Sequence, residues 1–88
     1  MIDREVWKQE LHPGGWQEIE SKPLFFGAQG EDLFVWYEHD PSRYPTDPVV
    51  LVRVYGTGRV IQHGAEHLMS CQQGPYVWHL YTIERSML

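Results

Sequence analysis

Three scarcities frame this chain of 88 residues: cysteine, positive charge and long apolar runs. Cys71 is the only cysteine, so no internal disulfide can form and a cysteine-rich zinc site is excluded. A reducing compartment fits that usage. Seven Lys and Arg stand against twelve Asp and Glu, a formal charge of −5. Such a balance argues against a nucleic-acid binder, which needs clustered cations to meet the phosphate backbone. The acids are dispersed singly or in pairs such as Glu31-Asp32, so the composition does not mimic DNA either. No stretch nears the ~20 apolar residues of a membrane helix, and the opening MIDREVWKQEL has no apolar core of signal-peptide length. The expectation is a soluble intracellular protein without membrane contact.

Helical periodicity is also scarce. No stretch of ten or more residues keeps a polar face free of Gly and Pro. What the chain has instead is aromatic residues, 14% of the total, including four Trp and five Tyr. Large rings bury much area per residue, which is how a small domain offsets its conformational entropy. Turn residues punctuate the chain at Pro13-Gly14-Gly15, Ser21-Lys22-Pro23, Gln29-Gly30-Glu31 and Gly56-Thr57-Gly58. Between them lie segments rich in β-branched and aromatic residues: 4–11, 16–20, 24–29, 32–39, 49–56, 66–72 and 76–84. Asp40 to Pro48 contains three prolines and reads as a loop.

The fold expected is all-β or β-rich α+β: one domain over 1–88, a compact antiparallel sheet or small barrel of six or seven short strands. At most one helical turn is expected, near 60–66 or at Arg85–Leu88. Alternation in 32–39 sets Leu33, Val35 and Tyr37 against Phe34, Trp36 and Glu38. Both sets are apolar at their centre, which predicts cover on both faces. Segment 49–55 reads the same way, so the two are expected to form the central antiparallel pair.

His63-Gly-Ala-Glu66-His67 satisfies the inverted zinc-protease pattern H-x-x-E-H. That chemistry requires a helix, which places the two imidazoles one turn apart on a single metal ion. Gly64 inside the motif and Val60-Ile61 before it disfavour the helix. The next acid after Glu66 is Glu84, too far along the chain to be a helical neighbour. A zinc hydrolase using His63, Glu66 and His67 is therefore the third-ranked reading. The expectation is no catalytic residue, no metal and no cofactor.

Gly56-Thr57-Gly58-Arg59 is the candidate ligand-binding segment. Its backbone N–H groups could face an anion, with Arg59 adding charge. A phosphate loop proper would need a longer glycine-rich run ending in Lys and Ser or Thr. A tight turn with positive φ at one or both glycines is the plainer reading. His79 reads as a sheet-face residue and Cys71, with no neighbouring cation, as an inert thiol. The four tryptophans cannot all be fully buried in so small a domain, and homo-oligomerisation through a sheet edge or aromatic patch would add stability.

The order of VWKQEL, KPLFFGAQ, LFVWYEHDP, RVYGTGRVI and YVWHLYTIE resembles a domain-of-unknown-function family of small proteins from bacteriophages and bacterial mobile elements. Members open on a Trp-Lys strand, carry a Phe- or Tyr-Gly-Thr-Gly-His segment and close on Val-Trp-His. The likeness runs from Val6 to Glu84 and is most specific at Gly56-Thr57-Gly58 and Val77-Trp78-His79. Arg59 departs from it, standing where members usually have histidine. The resemblance implies a phage-encoded accessory protein in the host bacterial cytoplasm. The function expected is non-enzymatic, stoichiometric binding to a host protein, to blunt a defence or redirect a process. An oligomeric small-ligand or nucleotide-signal binder using the Gly56–Arg59 turn is the alternative.

Overall fold

Strand formers separated by turn residues produce seven strands in the computed structural model, which describes residues 3–88. They are β1 (Glu5–Leu11), β2 (Gln17–Ile19), β3 (Pro23–Gln29), β4 (Asp32–His39), β5 (Val50–Gly56), β6 (Glu66–Gln73) and β7 (Tyr76–Ile83). One 3-10 turn, Arg85–Met87, closes the chain, at one of the two places the sequence offered for a helix. Residues 60–65 are not helical.

All pairings are antiparallel and fall into two sheets, β1-β4-β3 and β2-β5-β7-β6. The Cα envelope is 15 Å across its shortest axis, the thickness of two layers, since sheets pack about 10 Å apart. The inner faces share one core. Leu11, Phe26, Leu33, Val35 and Tyr37 come from the first sheet, and Ile19, Val52, Val54 and Leu80 from the second.

The expected central pair does not form. β4 lies between β1 and β3, whereas β5 lies between β2 and β7. The loop 40–48 carries the chain from one sheet to the other. It is built from consecutive turns: Arg43 N donates to Asp40 O (3.0 Å) and Asp47 N to Tyr44 O (2.9 Å). Ser42 donates its backbone N–H (2.9 Å) and its hydroxyl (2.6 Å) to the Asp40 carboxylate, which holds that carboxyl below its ordinary range. Three prolines stop the loop from extending either strand into a hairpin. Two adjacent apolar strands thus become the centres of facing sheets instead of neighbours in one.

Cover on the two faces of β4 is unequal. Leu33, Val35 and Tyr37 are buried, while Phe34 and Trp36 are half-buried. Their screen is made of side chains, with Phe25 edge-on to Trp36 and Lys8 over the Phe34 ring. β5 is enclosed on both sides: Val52 and Val54 face the main core, and Leu51 and Tyr55 are buried on the opposite face with Ile83 of β7.

Leu80 is fully buried at the centre of the shared core. Leu80→Ala is expected to cost about 2–5 kcal/mol in urea unfolding, from lost transfer energy plus a cavity. Val60→Ala, at a position 90% exposed, is expected to stay within about 0.5 kcal/mol of the parent.

Candidate functional site

The face of the β2-β5-β7-β6 sheet turned away from the core carries the polar chemistry. β5 and β7 pair so that Tyr55 stands opposite His79 and Gly56 opposite Trp78. This register brings together the Gly-Thr-Gly turn and the Val-Trp-His strand. Gly56 and Gly58 bracket a turn closed by Arg59 N donating to Gly56 O (3.2 Å). Only Gly58 takes positive φ there, at 89°. Thr57 leaves the turn to meet His79, with its Oγ1 3.0 Å from His79 Nε2 and 3.2 Å from the Val77 carbonyl.

From His79 a hydrogen-bonded chain crosses to β6. Ser70 Oγ is 2.8 Å from His79 Nδ1 and 2.9 Å from His67 Nε2. Residues three apart in a regular strand face opposite ways. A bulge between His67 and Met69 inserts one residue and turns both His67 and Ser70 outward. The proton directions follow from the end of the chain. The Val77 carbonyl can only accept, so the single Thr57 hydroxyl proton goes to it. Thr57 Oγ1 then accepts from His79 Nε2–H, which leaves the Nδ1 lone pair of His79 facing the Ser70 hydroxyl.

His63 takes no part. It sits with Gly64 in a four-residue turn closed by Ala65 N donating to Gln62 O (3.1 Å), with Gly64 at φ 90°. His67 lies beyond the turn, in β6. The H-x-x-E-H residues are therefore divided between a turn and a strand, and no group of three or more His, Cys, Asp or Glu among the described residues could hold one metal ion.

The loop 57–65 folds back over the same face. Gln62 N donates to the Tyr55 hydroxyl (3.3 Å), and Trp16 Nε1 donates to Gln62 Oε1 (2.9 Å). These contacts cover Tyr55. Beside the loop is a cleft of about 920 Å³ whose lining includes Arg53, Tyr55, Thr57, Arg59, Tyr76 and Trp78. Of the Gly56–Arg59 segment, Gly56, Thr57 and Arg59 line it and Gly58 does not. β2 spans only Val50 to Val52 of β5, so the rest of that strand edge is left to the cleft.

Charge in the cleft is of one sign. Arg4 pairs with Glu38, Arg85 with Glu18, and Arg43 donates to the Asp47 and Pro48 carbonyls. Lys22, Arg53 and Arg59 have no carboxylate partner among the described residues, and the two arginines both line the cleft. The Arg53 guanidinium lies 4.8 Å from the Tyr55 ring centre and 5.9 Å from that of Trp16. Its Nε is buried with no hydrogen-bond partner, a cost that a suitably placed acceptor would remove.

None of the four tryptophans is fully buried, and Trp7 is the most open at 42%. Trp78 Nε1 donates to Gln73 Oε1 (2.9 Å). Cys71 faces inward, half-buried against the core, and burial pushes its thiol up. The sequence placed His79 on a sheet face, where it lies, but did not link it to Thr57 or Ser70. The one signal that could have marked His79 for such a link is its place in a motif as specific as Gly-Thr-Gly. Ser70 gave none, because its partner is set by a bulge.

The model of a family described as Domain of unknown function (DUF7352) matches residues 2–87. No curated protein and no solved structure matches the chain.

Gly64→Ala separates turn from helix by sign. In a helix it would stabilise by about 1 kcal/mol; in the positive-φ turn, where the new methyl also meets Met87, it is expected to lower stability by about 1–2 kcal/mol in chemical denaturation. Cys71 should react with iodoacetamide at pH 8 more slowly than an unstructured cysteine peptide, because its raised pKa keeps the thiol protonated. The linked stability is complete below the ordinary thiol range and declines as pH rises through it.

Proposed function

The chain belongs to this domain-of-unknown-function family, and we propose that it acts without catalysis, as a phage-encoded accessory protein that binds a host protein stoichiometrically in the bacterial cytoplasm. The observation that carries the reading is the cleft at the Gly56–Arg59 turn. Two arginines without carboxylate partners among the described residues line it, in a chain of net charge −5. Exposed Val60 and Tyr76 are part of the same lining. Arginine and aromatic anchors are the residue types that dominate binding energy at protein interfaces. The partner's chemistry follows: an acidic side chain entering the cleft, flanked by apolar residues that pack on Val60 and Tyr76. The phage setting rests on the likeness of the Gly-Thr-Gly and Val-Trp-His segments.

A second reading is supported by the cleft's size. A volume of about 920 Å³ lies within the range of small-molecule sites, and Tyr and Trp rings beside two arginines suit a nucleotide signal. Sequestration of such a ligand would use the same residues.

Affinity capture from host lysate, repeated with charge variants, tests the first reading. The parent and Lys22→Glu should retain one partner at unit stoichiometry. Arg59→Glu should weaken its binding by about 2 kcal/mol or more, roughly thirtyfold. Capture that is indifferent to Arg59 would refute the cleft as the docking site. A rise in melting temperature with one member of a nucleotide panel, absent in Arg59→Glu, would favour the second reading instead.

A further inference from the structure

We propose that His67 and His79 form a cross-strand binding site for a divalent transition metal of the imidazole-preferring class, such as Zn²⁺. The site is independent of the cleft reading and reverses the expectation that the chain carries no metal ligand. His67 Nε2 and His79 Nδ1 already converge on one point, at 2.9 and 2.8 Å from the Ser70 oxygen. They come from neighbouring strands of one sheet, and the bulge between His67 and Met69 fixes their common face.

The second shell is in place for one of the two ligands. A metal-bound histidine characteristically donates its remaining ring N–H to a fixed acceptor, which sets the tautomer and the ring plane. His79 does this with Nε2–H on Thr57 Oγ1, itself tied to the Val77 carbonyl. The Nδ1 lone pair is thereby held toward the outward-facing point. His67 is exposed and its ring meets Tyr81 edge-on, 5.3 Å between centres. It presents its Nε2 lone pair by moving its proton to Nδ1. The metal takes the place of the shared hydrogen bonds at Ser70, with imidazole nitrogens at about 2.0–2.1 Å and the open positions filled by water or the Ser70 hydroxyl. Imidazole donors suit zinc, copper and nickel.

This assignment keeps one histidine of the H-x-x-E-H pattern and replaces the other. The pattern pairs His67 with His63, four residues away; the sheet pairs it with His79, twelve residues on.

Titration of the untagged full chain with Zn²⁺, followed by calorimetry, tests the site. One ion per chain is expected. His67→Ala and His79→Ala should each weaken binding at least tenfold, and Thr57→Val by about tenfold through the lost second shell. His63→Ala should bind as the parent does. Circular dichroism in metal-free buffer checks that each variant folds, and if His79→Ala does not, the exposed substitutions at His67 and Thr57 decide the question. Binding that survives His67→Ala, depends on His63 or ignores Thr57 would overturn the assignment, as would a parent that takes up no Zn²⁺.

Discussion

The register of β5 on β7 is the constraint on which the rest depends. Tyr55 opposite His79 and Gly56 opposite Trp78 set which side chains reach the core and which reach the polar face. A slip of one residue would send Trp78 outward and His79 inward, because strand side chains alternate. Thr57 could then no longer meet the imidazole, and the hydrogen-bonded chain to Ser70 and His67 would lose its anchor. Burial holds the register from both sides. Val52, Val54 and Leu80 are locked in the main core, while Leu51, Tyr55 and Ile83 are buried on the opposite face.

That second buried face explains the uncommon route of residues 57–65. A two-layer fold leaves each sheet with an outer surface, and here Tyr55 and Ile83 would be open on it. The loop after the Gly-Thr-Gly turn returns across Tyr55, tethered by Gln62 to Tyr55 and Trp16. The positive-φ glycine at position 64 then reverses the chain into β6. The residue that spoils the zinc-protease helix is thus the one that lets the loop end and the next strand begin. Met87 of the closing 3-10 turn rests against it, which ties the end of the chain to the same loop.

Charge distribution divides the molecule further. Arg43 is consumed in holding the proline-rich loop, and Arg4 and Arg85 are paired at the surface. Exposed pairs of this kind contribute little to stability. Their effect is to leave Arg53 and Arg59 as the uncompensated cations beside the cleft in an acidic protein. Arg53 also packs on aromatic rings, which a lysine would do less well because the planar guanidinium stacks.

The sequence by itself determined the strands. Seven β-rich segments separated by Gly and Pro turns became β1 to β7 with ends shifted by a residue or so, because alternation and turn chemistry are local properties. Gly64 likewise foretold that His63 and His67 would not share a helix. The Gly56–Arg59 segment was visible as a turn, and the structure adds that it lines a cleft. Which strands pair was decided only by the tertiary structure: the chain crosses between sheets at 40–48, so 32–39 and 49–56 never meet. His79 reaches Thr57 and Ser70 through a ladder between distant segments and a one-residue bulge. Neither leaves a trace in linear spacing, since both are chosen by how the two apolar faces close over a common core.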